Sequence, residues 1–105
     1  MHISEADLAL VRRVLAQYLP PEVSVMAYGS RVTGRNLKPF SDLDLCLSAG
    51  ASMLPDGVIA QLRQAFEDAD LPFRVDVVDR GQCDAAFLAV IDRDCVPLSG
   101  AEASA

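Results

Sequence analysis

The chain has 105 residues, 51% of them hydrophobic, with 15 acidic against 9 basic residues and a formal net charge of −6. That length fits one compact domain whose core needs no disulfide or structural metal. The acidic balance argues against a dedicated nucleic-acid binder, which would carry a basic face, and suits a protein that gathers cations or docks on a basic partner.

Ser4 followed by Asp7 resembles a capping box, with Asp in place of the usual Glu. Leu8, Val11, Leu15 and Leu19 then recur at helical spacing with Val14 beside them, and Pro20-Pro21 stops the helix. Val23 to Tyr28 reads as a buried strand that Gly29 ends. Residues 30–41 are polar, with Gly34, Asn36 and Pro39, and are expected to form a turn or a short helix plus a loop. Leu43 to Ser48 is the clearest strand: Leu43, Leu45 and Leu47 share one face, and Asp42, Asp44 and Cys46 the other. A loop over Gly50 to Pro55 leads to a second amphipathic helix marked by Val58, Leu62, Ala65, Phe66 and Ala69, broken at Leu71-Pro72. Phe73 to Val78 is another strand, with Phe73, Val75 and Val77 on one face and Arg74, Asp76 and Val78 on the other. Residues 84–92 are expected to form a third helix packing Phe87, Leu88 and Ile91, followed by a short edge piece at Val96-Pro97-Leu98. This order implies an α/β (α+β) sandwich over residues 1–98, a small sheet flanked by helices, with a disordered tail at 99–105. Periodicity leaves the order and direction of the strands open.

The three cysteines, Cys46, Cys83 and Cys95, are odd in number and widely spaced, which speaks against a disulfide framework or a zinc site and for buried thiols in a reducing compartment. The first residues lack a basic region followed by an apolar stretch, so no signal peptide is expected. No apolar run approaches the roughly 20 residues that span a bilayer. A soluble, cytoplasmic protein is the expectation.

Three groups of residues carry chemistry. Asp42 and Asp44 lie at i and i+2 of a strand, about 6.6 Å apart on one face, and such carboxylates can converge on hard cations that prefer oxygen ligands. An isolated Asp-x-Asp is more often a solvated strand face. Gly29 at a strand end lets the backbone approach a ligand closely, and Ser30 after it can cap a short helix with N–H and hydroxyl toward a phosphate. An ordinary strand-to-helix turn would look the same. Asp76 sits mid-strand between Val75 and Val77, where a carboxylate needs a partner or a metal; Arg74, two residues away on the same face, is the structural alternative. The one histidine, His2, lies at what is expected to be a frayed end, so no histidine base is expected.

Taken together, Gly29-Ser30, Asp42-Leu43-Asp44 and a strand bearing Asp76 resemble the signature of the DNA polymerase β-type nucleotidyltransferases. Residues 5–98 are similar to the minimal nucleotidyltransferases (MNT) that accompany helical HEPN-type proteins. The resemblance implies a polymerase β-like fold with a small mixed sheet. It implies Gly29 and Ser30 on the β/γ-phosphates, Arg31 and Ser41 among the nucleotide-binding residues, and Asp42, Asp44 and Asp76 as catalytic ligands of Mg²⁺. Members often have Arg where Thr33 stands, so Arg31, Arg35 and Lys38 all remain candidates for the cation that meets the triphosphate. The implied activity is transfer of AMP from ATP to a tyrosine hydroxyl of a HEPN-type toxin encoded next door, which makes the chain an antitoxin within a hetero-oligomer. No direct contact with nucleic acid or membrane is implied. A non-catalytic inhibitory module for that partner, or transfer to a small molecule presented by a partner subunit, are the alternatives.

Overall fold

The first helix, α1 (Glu5–Tyr18), begins where the Ser4 hydroxyl accepts the Asp7 backbone N–H at 3.1 Å and ends as Leu19 turns extended before the two prolines. Its buried residues, Val11, Val14 and Leu15, lie on the stripe expected from their spacing. The computed structural model describes residues 1–50 and 54–99. After α1 come β1 (Ser24–Tyr28), α2 (Ser30–Thr33), β2 (Leu43–Ser48), α3 (Val58–Asp68), β3 (Val75–Asp79), a 3₁₀ turn (Arg80–Gln82), α4 (Ala85–Asp94) and β4 (Val96–Ser99).

The four strands form one mixed sheet in the order β3-β2-β1-β4. β1 runs antiparallel to both neighbours, whereas β2 and β3 are parallel. A parallel pair needs a crossover, and α3 supplies it. Leu43, Leu45 and Leu47 of β2, Val25 and Ala27 of β1 and Val77 of β3 face a core shared with α1 and α3. The opposite face carries a smaller cluster in which Tyr28 and Cys46 pack on Ile91 of α4, with Val78, Cys83, Leu88 and Cys95 around them. The sheet is therefore the middle of three layers. Pro97, which cannot donate to a ladder, lies on the edge strand β4.

β2 spans the residues expected of it, whereas β3 starts at Val75, two residues later than expected. Phe73 precedes the strand yet is still buried. The third long helix extends two residues past the expected end, to Asp94. Of the tail expected to be disordered, Ser99 belongs to β4. Residues 100–105, and 51–53 of the expected loop, lie outside the described residues. Among the described residues no helix is long and apolar enough to cross a membrane.

Candidate active site

Sheet register brings the expected carboxylates together. Asp44 lies directly opposite Asp76 on the parallel side and opposite Tyr28 on the antiparallel side. Cross-strand partners share a face, so these three side chains stand together on the α4 side of the sheet, where Tyr28 also packs on Ile91. Asp42 immediately precedes β2, and the Leu43 N–H after it is anchored to the Arg74 carbonyl at 2.9 Å. Asp42 and Asp76 are exposed; Asp44 is half-buried. The Asp44 carboxyl is pushed up to about 6, by burial first, then by the charges of Asp76 and Asp42. The alternative partner for Asp76 is not engaged: among the described residues no ion pair joins it to Arg74.

Gly29 closes the other side. Its φ of +84° favours glycine, and a Cβ placed there would run into Asp44 Oδ2. The backbone thus passes hard against the carboxylate, and only glycine permits it. Ser30 does not cap the short helix as expected. Gly29 is the N-cap residue, with no side-chain cap, and Ser30 is the first helical residue. The missing Cβ at position 29 lets the chain turn into α2 one residue earlier.

Arg31, expected near the triphosphate, is buried. Its Nε donates to the Ser41 carbonyl (2.7 Å), Nη1 to the His2 carbonyl (2.9 Å) and Nη2 to the Pro39 carbonyl (2.9 Å). The guanidinium lies 4.2 Å above the Phe73 ring. Arg31 therefore ties together the N-terminus, the loop that leads to Asp42 and the approach to β3. His2 is accordingly not frayed, since its N–H also bonds the Arg31 carbonyl. Ser41 closes the same loop: its hydroxyl accepts the Lys38 N–H at 2.9 Å and its N–H donates back to the Lys38 carbonyl. Arg35 pairs with Asp94 at 2.6 Å. Of the three candidate cations, Lys38 is the one whose side chain has no partner among the described residues.

Two residues escaped the sequence reading. Tyr28 is buried beside the carboxylates, and burial with the charges of Asp44 and Asp76 raises its phenol well above the ordinary range. Strand parity carried the signal, because Tyr28 ends the strand just before Gly29. Phe40, two residues before Asp42, is 78% exposed and borders a cavity of about 860 Å³ that also reaches Asp42 and Asp76. Among the described residues no three His, Cys, Asp or Glu side chains are grouped so that they could hold a metal ion between them. The donor set is nonetheless all carboxylate oxygen, and the burial and neighbouring charges that raise Asp44 are what a bound hard cation would offset.

No family model matches the chain. It is 39% identical over 93 residues to the probable protein adenylyltransferase MntA of Haemophilus influenzae, covering 87% of this chain and 77% of that protein. The chain belongs to the MntA-type minimal nucleotidyltransferases. Solved structures share the minimal nucleotidyltransferase fold. One is a chain of a toxin–antitoxin crystal structure with AMP-PNP, at a TM-score of 0.72 and 21% identity, covering 93% of this chain and 77% of that one. Another comes from the tri-AMPylated Shewanella oneidensis HEPN toxin in complex with its MNT antitoxin, at a TM-score of 0.69 and 19% identity, covering 97% and 76%. As a minimal nucleotidyltransferase, the chain is an enzyme of nucleotidyl transfer built on a four-stranded mixed sheet flanked by helices.

Proposed function

We propose that residues 1–98 act as a protein adenylyltransferase, moving AMP from ATP to a tyrosine hydroxyl of a HEPN-type toxin encoded beside it and so silencing the toxin. The observation that carries this reading is the register that sets Asp44 against Asp76 while the Gly29 backbone presses on the same carboxylate. Phosphate-binding backbone and acidic cluster then meet at one point. The relative's designation as a protein adenylyltransferase and the AMPylated toxin in a structural relative support the choice of acceptor.

Gly29 and Ser30 hold the β- and γ-phosphates at the β1 side of Asp44. Asp42, Asp44 and Asp76 would hold Mg²⁺, whose preference for oxygen ligands their carboxylates match. When bound, the metal neutralises charge on the triphosphate and the leaving pyrophosphate. The acceptor oxygen bonds to Pα, the bond from Pα to the bridging oxygen of the β-phosphate breaks, and pyrophosphate leaves. The hydroxyl proton passes to Asp76, the carboxylate on the edge strand β3. Nucleotidyl transfer asks mainly for positioning and charge neutralisation, which a small chain can provide.

Incubating the chain with the purified neighbouring toxin, Mg²⁺ and ATP should add one or more AMP masses to the intact toxin. The double variant Asp42→Asn/Asp44→Asn should add none, a loss of at least about a thousandfold in rate. A stable complex with no mass gain from the wild type would replace catalysis by simple inhibitory binding.

A further inference from the structure

The cavity beside Asp42 and Asp76 is larger than metal ligation requires. It runs from the carboxylates, past Phe40, to the connection between α3 and β3, where Leu71 and Pro72 form its far wall. Phe40 is the most exposed of the large apolar residues described, at 78%. Its exposure does not come from a loose loop. The carbonyls on either side of it, Pro39 and Ser41, are both clamped by the buried Arg31, and Ser41 bonds Lys38 twice. The ring is thus presented to solvent by a braced segment, two residues from Asp42. Rigid, solvent-facing aromatics beside a pocket are the usual anchors of a protein partner.

The layout of the site says which ligand this is. Gly29 and Ser30 lie on the β1 side of Asp44, and Asp76 lies on the β3 side. In-line displacement at phosphorus places the nucleophile opposite the leaving group. With pyrophosphate leaving toward β1, the acceptor must enter from β3, and the Phe40 cavity is the opening there. We propose that the groove between Phe40 and Leu71-Pro72 is the docking site of the acceptor segment of the partner protein. An apolar or aromatic side chain of that segment packs on Phe40 while its hydroxyl reaches the carboxylates. This rests on the adenylyltransferase reading above. The lining sets Asp42, Glu67 and Asp76 beside Arg63 and Arg74 around the apolar Phe40 and Leu71, a mixed surface that suits a polypeptide carrying both apolar and charged side chains.

The test is steady-state AMP transfer to the neighbouring HEPN-type protein by wild type, Phe40→Ala and Phe40→Tyr, with AMP-PNP binding measured by calorimetry. Phe40→Ala should raise KM for the partner about tenfold or more, as loss of an anchoring aromatic does. AMP-PNP affinity should be unchanged, and Phe40→Tyr should restore the partner KM. An unaltered partner KM in Phe40→Ala overturns the docking site and leaves the adenylyltransferase reading standing. Weakened AMP-PNP binding with an unaltered partner KM also overturns it, and assigns the ring to the nucleobase. If the wild type transfers no AMP, both readings fall together.

Discussion

At neutral pH the Asp44 carboxylate is ionised against its surroundings, because burial and the charges of Asp76 and Asp42 push its pKa up to about 6. The unfolded chain loses the same proton near the ordinary value of about 4. Between these values the folded state binds more protons than the unfolded one, so folding stability falls as pH rises through this window and then levels off. Asp44→Asn removes that penalty. The metal-free variant should melt higher than the wild type at pH 7.5, by on the order of 1 kcal/mol once screening of a half-exposed group is allowed for. Below about pH 4 the two melting temperatures should converge, and calorimetry across pH checks it. A variant no more stable at pH 7.5 would mean that neither burial nor the neighbouring carboxylates disfavour the ionised Asp44. Mg²⁺ with AMP-PNP should stabilise the wild type and not the variant, because a bound cation repays repulsion only where the charge exists.

The loop between α2 and β2 owes its shape to one side chain. Arg31 bonds carbonyls 8, 10 and 29 residues away in sequence. Lysine cannot reproduce that planar fork, so Arg31→Lys should leave buried carbonyls unsatisfied and cost on the order of 2–3 kcal/mol in urea unfolding. Protease cleavage within residues 35–42 should rise in parallel. The same residue shows where the sequence stops being readable. Ser4 at the head of α1 and the alternation of Leu43, Leu45 and Leu47 are local signals, and they placed a helix and a strand correctly. The Gly29-Ser30 and Asp42-Leu43-Asp44 motifs marked two segments that the β1–β2 pairing brings side by side. Strand order was illegible because the parallel pairing of β2 with β3 depends on how the α3 crossover packs. The burial of Arg31 was illegible because all its partners are backbone carbonyls, which leave no mark on residue identity. Phe40 was illegible for the same reason, since what braces it is the hold of Arg31 on the Pro39 and Ser41 carbonyls.

For the molecule as a whole, catalysis and simple blocking differ in dose. If the chain is an adenylyltransferase, a small amount should modify a large molar excess of partner to completion, and the partner's toxicity should fall with time. A blocker would stop at equivalence, and inhibition that plateaus at one chain per partner with no dependence on time would sink the enzymatic reading. The parallel β2–β3 ladder bears on how this activity first arises. Gly29 and Asp44 belong to consecutive, antiparallel strands, whereas Asp76 joins them only after the chain has traversed all of α3. Pairings of greater sequence separation form at greater entropic cost and tend to form later. The constellation is therefore complete only when β3, the far side of the α3 crossover, has docked on β2.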